Sequence, residues 1–158
     1  MMKHTISVLV ENRFGVLARV AGLFSARGYN IDSLTVNETE DPSVSRMTVV
    51  VNAEDEKILE QIKKQLNKLI DVITVIDFTK KEYIERELIF VKILVDKKGL
   101  PKLKKVVEKA QAVILKKKND EVLVELVNDQ DHIKAFLGEL KNFKVLELVK
   151  SGRVAISI

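Results

Sequence analysis

Glu11-Asn12-Arg13-Phe14-Gly15-Val16-Leu17, answered further along by Gly28-Tyr29-Asn30-Ile31, brackets one helix and sets what stands on either side of it. Before the helix, His4 to Glu11 alternates, with Ile6, Val8 and Val10 on one face and Ser7 and Leu9 on the other. That period of two is the pattern of a half-buried strand. After Gly15, Val16, Val20, Leu23, Phe24 and Arg27 recur at helical spacing. The stripe is apolar until Arg27, where a cation suits the negative end of the helix dipole. Gly28 then offers the left-handed residue that ends helices. A loop that reaches a helix start through Gly presents free backbone N–H groups and the positive end of the dipole. Such a place suits a carboxylate or a phosphate.

Outward from this unit, Ile31 to Glu38 and Arg46 to Asn52 read as strands paired around Asp41-Pro42-Ser43, residue types that favour a turn. Ile58, Leu59, Ile62, Leu66 and Leu69 repeat with helical spacing, Asp55 or Asn52 offers an N-terminal cap, and Val72 to Phe78 makes a fourth strand. The order β-α-β-β-α-β then recurs. Leu88 to Val95 is a strand, and Leu100, Leu103, Val106, Val107 and Ala110 form a helical stripe. Ala112 to Lys118 and Glu121 to Val127 flank an Asn119-Asp120 turn. Ile133, Phe136, Leu137 and Leu140 mark a helix, Phe143 to Val149 a last long strand, and Val154-Ala155-Ile156 a short extra one beyond Ser151-Gly152. The charged run Lys80 to Arg86 separates the repeats. The expectation is an α+β chain of two tandem ferredoxin-like βαββαβ sandwiches, residues 1–79 and 80–158. In this topology Ile31 to Glu38 is an edge strand. Ser33 to Val36 carry no charge to blunt that edge, so a homodimer with a continuous sheet is expected, the alternative being that two neighbouring edges within one chain pair instead.

Composition removes whole classes of chemistry. The chain has no Cys, so thiolate metal sites, iron–sulfur clusters and cysteine nucleophiles are out. His4 and His132 are the only histidines and sit in no catalytic constellation. No phosphate-binding loop, dinucleotide fingerprint or serine triad spacing is present, so neither catalytic nor metal-ligating residues are expected. No apolar run reaches eighteen residues, and strand-like sequence by His4 leaves no room for a removable leader; the expected setting is the cytoplasm, with no membrane contact. Residues 1–78 hold 9 basic and 11 acidic side chains, and residues 79–158 hold 18 and 12, so the second half is the basic one. That charge could meet an acidic partner or RNA. RNA-binding sheets of this topology stack bases on strand aromatics, however, and Ile6 to Val10 and Met47 to Val51 carry none. Lys116-Lys117-Lys118 reads as a solvated strand end, and Arg13, Arg19 and Arg27 read as solvated cations.

The residues Ser7 to Val20 and Leu23 to Val36 closely resemble the ACT domain of the acetolactate synthase small, regulatory subunit. Ser45-Arg46-Met47-Thr48, Leu59 to Leu69 and Glu85-Arg86-Glu87-Leu88 extend the likeness over the chain. What the resemblance implies is a non-catalytic regulatory subunit in branched-chain amino-acid synthesis, paired as a homodimer through its ACT domains. Its partner would be a large catalytic subunit carrying thiamin diphosphate, Mg and FAD, with no cofactor in this chain. The small subunit would raise that enzyme's activity and confer feedback inhibition by valine, bound between two ACT domains. The alternative is a stand-alone ACT protein that senses an amino acid for another enzyme. Resemblance and residue chemistry meet at Asn12, Gly15, Val16, Leu17, Asn30 and Ile31. Backbone N–H groups after Gly15 would take the effector's carboxylate, and Asn12 and Asn30 carry both donor and acceptor without adding charge. Leu17 and Ile31 read as core residues that also line the pocket.

Overall fold

In a computed structural model, which describes residues 2–53 and 56–158, the first repeat runs β1 (Met2–Glu11), α1 (Val16–Ala26), β2 (Ile31–Glu38), β3 (Val44–Ala53), α2 (Glu56–Leu66) and β4 (Val72–Asp77). The second runs β5 (Tyr83–Leu94), α3 (Leu100–Lys109), β6 (Val113–Lys118), β7 (Glu121–Asn128), α4 (Gln130–Glu139), a short 3₁₀ turn and β8 (Lys144–Ser157). Each repeat forms a four-stranded antiparallel sheet, ordered β2-β3-β1-β4 and β6-β7-β5-β8. This is the ferredoxin-like arrangement expected of the pattern, with β2 at an edge. Among the described residues no helix is long and apolar enough to cross a membrane.

In the first sheet the alternation of β1 sorts its side chains as read. Ile6, Val8 and Val10 are buried with Val20 and Phe24 of α1 and Ile62 of α2. α1 closes on Gly28 at φ +69°, with Gly28 N–H donating to the Ser25 carbonyl and Tyr29 N–H to the Phe24 carbonyl. That pair of bonds is the Schellman ending, which satisfies carbonyls the helix leaves open. The opposite face of the sheet is polar yet covered: Thr5, Ser7 and Thr48 are buried. Arg46 Nη1 donates to Ser7 Oγ at 2.9 Å, and the buried Arg153 donates from Nη1 to Thr5 Oγ1 at 2.9 Å and from its amide to Ser33 Oγ at 3.1 Å. Arg153 reaches these hydroxyls because the final residues, 153–158, group with the first compact unit, whose main span is Met1–Ile84; the second unit is Glu85–Gly152.

The second unit has its own core, with Ile89, Val91 and Ile93 of β5 packed with Leu103 of α3 and Ile133 and Phe136 of α4. β6 and β7 turn through Asn119, which adopts φ +55°, a left-handed conformation that Asn tolerates better than most residues. Asp129 caps α4 by accepting from Asp131 and His132 N–H. Three local expectations are corrected. β5 begins at Tyr83, inside the charged run, because a strand with one face exposed accommodates alternating charges. Val154 to Ile156 is no separate strand: β8 passes unbroken through Gly152 at φ +87°, since glycine accepts that backbone without ending the strand. Asn52 lies within β3 and does not cap α2; the other candidate cap, Asp55, lies outside the described residues.

Candidate effector site

The β1–α1 loop is held from both sides. Asn12 N–H donates to the Ser43 carbonyl at 2.7 Å and its side-chain amide to the Pro42 carbonyl at 2.9 Å, tying the loop to the β2–β3 turn. Glu11 N–H donates to the Asp71 carbonyl at 2.9 Å, tying it to the start of β4. Between these anchors Gly15 takes φ +82° and begins α1. The helix start has no side-chain cap and no acidic residue in its first turn. Leu17 and Ala18 N–H meet no acceptor among the described residues, which leaves donors and dipole for an anion from outside. Val16 is buried in the core, while Leu17 is 44% exposed and available as an apolar wall.

Asn30 and Ile31 lie elsewhere. α1 has 11 residues, about 16 Å of helix, between Gly15 and the Gly28 ending. The sheet register agrees: Glu11 pairs with Val44, whereas Ile31 pairs with Val51, seven positions up the same strand or about 23 Å. Asn12, Gly15, Val16 and Leu17 are therefore together, and Asn30 and Ile31 are at the other end of the unit. Asn30 donates to Asp32 Oδ1 at 2.9 Å, and Asp32 pairs with Lys3 at 3.1 Å. One amino acid cannot span both groups within a single chain.

Arg19 departs from the sequence reading. It is half-exposed but not a free cation: Nε and Nη2 both lie 2.8 Å from Asp71 Oδ2, and Asp71 is buried. Its Nη1 stands 3.1 Å from where a Cβ on Gly15 would be. No spacing signal joins residues 52 apart in sequence, so the pair was invisible before folding. Arg13 is neutralised by Glu11 at 2.6 Å, and Arg27 reaches Gln65 on α2.

A second cleft, of about 290 Å³, lies between α2 and β4. Lys63 pairs there with Glu60 and Asp77, and Lys80 with Glu56, while Lys81 also lines the cleft. Glu60 foremost holds the Lys63 ammonium above its ordinary pKa. Burial pushes the Asp77 carboxyl up, but the Thr79 hydroxyl and amide together with Lys63 outweigh it and hold it low.

The model of the AHAS small subunit-like ACT domain matches residues 6–74, and the family "Small subunit of acetolactate synthase" matches residues 86–158. The chain is 43% identical over 155 residues to the "Probable acetolactate synthase small subunit" of Archaeoglobus fulgidus, covering 98% of this chain and 96% of that protein. It is 42% identical over 157 residues to the acetolactate synthase isozyme 3 small subunit of Escherichia coli, covering 99% and 96%. The crystal structure of the acetolactate synthase small subunit from Thermotoga maritima superposes with a TM-score of 0.89 at 32% identity, over 100% of this chain and 98% of that one.

Proposed function

The chain belongs to the acetolactate synthase small-subunit family, and from that premise we propose that it activates the thiamin-diphosphate-dependent catalytic subunit in the cytoplasm and makes it sensitive to valine. Family membership across both repeats is the observation that carries the reading. Thiamin diphosphate, Mg and FAD are assigned to the catalytic partner, and this chain works by binding and assembly alone.

The separation of the half-sites supports an effector site between two copies. β2 runs from the level of Val51 on β3 to the level of Ser45, and the Gly15 loop stands at the Ser45 end. A second β2 laid antiparallel along the first edge reverses that direction. Its Asn30 and Ile31 then arrive beside the Gly15 loop of the first copy. The loop takes the valine carboxylate, the partner's Asn30 and Ile31 meet the ammonium and isopropyl group, and Leu17 completes the wall. Selectivity among valine, leucine and isoleucine is modest in such a site, since one methylene is worth about 1 to 3 kcal/mol. Inhibition follows if valine favours one arrangement of the complex over another, a coupling of about 1 to 3 kcal/mol.

The test is acetolactate formation by the large catalytic subunit with and without this chain and with valine added. The chain is expected to raise the rate and valine to lower it again. Failure to co-purify with the large subunit or to alter its rate would overturn the proposal and favour a stand-alone amino-acid sensor serving another enzyme.

A further inference from the structure

We propose that Arg19 reads the carboxylate of the effector and that Asp71 is the positioning residue that aims it; the inference rests on the effector site proposed above. Arg19 lies one helical turn beyond Gly15, so its side chain projects back over the loop, as long helical side chains do. Its fork is divided. Nε and Nη2 are committed to Asp71 Oδ2 at 2.8 Å each, while Nη1 bonds no described residue and stands 3.1 Å from the Cβ position of Gly15. The free N–H groups of Leu17 and Ala18 open from the same first turn. A carboxylate there receives backbone donors on one side and guanidinium donors on the other.

Asp71 suits the orienting role because it is fixed at both ends. Its carbonyl accepts from Glu11 N–H at the mouth of the loop, and its buried carboxylate grips Arg19. Holding two guanidinium nitrogens removes most of the rotamer freedom that a half-exposed arginine would otherwise lose on binding. Asp71 also offsets the cation, so the empty site carries little net charge. Glycine at 15 gains a second reason: any side chain would enter the gap between Nη1 and the helix start as well as strain a positive φ. The ligand class that fits is a small α-amino acid with a free carboxylate; its amide keeps one carbonyl acceptor but loses the charge that strengthens the contact.

The test is calorimetric titration of the full chain with L-valine and with L-valinamide, which keeps the ammonium and isopropyl group but lacks the carboxylate; the amide is measured by displacement of valine. Wild-type chain is expected to prefer valine. Arg19→Met is expected to lower valine affinity about tenfold to a hundredfold, the range of a hydrogen bond to a charged group, while lowering valinamide affinity much less, since its amide carbonyl is a neutral acceptor. Arg19→Lys keeps the charge but not the fork and should lie between, and it decides the matter if Arg19→Met does not fold. Asp71→Asn should move the valine-to-valinamide ratio in the same direction. Equal losses for both ligands would make Arg19 a structural tie and overturn the assignment with the effector site intact. No saturable valine binding by the wild-type chain, alone or with the large subunit, overturns the site and the assignment together.

Discussion

Three constraints meet at Gly15: a positive φ, a helix start without a cap, and a guanidinium 3.1 Å from its missing Cβ. An aspartate at this position tolerates the backbone better than most residues, and its carboxylate would pair with Arg19 in the place proposed for the ligand. Gly15→Asp is therefore expected to raise the valine concentration needed for half-inhibition of the reconstituted complex by at least about tenfold. Gly15→Ala should raise it less, since it fills space without capturing Arg19. An unaltered inhibition curve for Gly15→Asp would rule the loop out as the carboxylate site. Asn30→Ala removes a neutral donor and should weaken valine binding about two- to tenfold in calorimetry; an unchanged heat would return Asn30 to a purely local role beside Asp32. Sequence exposed Gly15 and both asparagines because turn chemistry is local. It concealed Arg19 because the residue that gives Arg19 a direction, Asp71, arrives only when β4 pairs with β1.

Elements were legible where neighbours in sequence decide them. Gly28 ended α1, Asn119 turned β6 into β7, and period-two alternation sorted β1 into its buried and covered faces. The misread ends, at Tyr83 and Gly152, are places where pairing with a distant strand carries an element through residues that favour a stop. Two elements carry predictions. In α4, His132 N–H, then its imidazole, hold the Asp129 carboxyl below the usual carboxylate range. A depressed folded-state pKa means stabilisation fully present above the unfolded value near 4 and lost as pH falls through the folded one. Asp129→Ala should cost about 1 kcal/mol at neutral pH in urea denaturation, and the gap from wild type should close below about pH 4. A gap independent of pH would mean that the carboxylate's charge contributes nothing to the cap. On β2, Val36 is 40% exposed and lies in the uncharged stretch that begins at Ser33. In the proposed edge-to-edge dimer Val36→Lys sets a charge against the partner's strand, where pairing would strip its water, and should loosen the dimer at least about tenfold by sedimentation; an undisturbed dimer would move the interface off β2.

At the scale of the whole molecule, the two proposed half-sites turn ligand binding into a question of assembly. The Gly15 loop and the Asn30-Ile31 edge are separated by the length of α1, about 16 Å, and a valine molecule spans far less. If each valine needs one half-site from either copy, single chains bind it poorly and paired chains bind it well. Linkage then requires valine to tighten the pair, by about 2.7 kcal/mol per site when valine is a hundredfold above its Kd. A two-fold dimer has two such sites, so the logarithm of the dimer dissociation constant should fall with the logarithm of valine concentration at a limiting slope of about −2. Sedimentation equilibrium across a valine series measures that slope directly. Arg19→Met, by weakening each site, should shift the curve to higher valine without changing its limit. A dissociation constant indifferent to valine, in a chain that still binds it, would show that one copy completes the site alone. The 11 residues of α1 would then have to be bridged by some other element, and the partner's edge strand would lose its role in feedback.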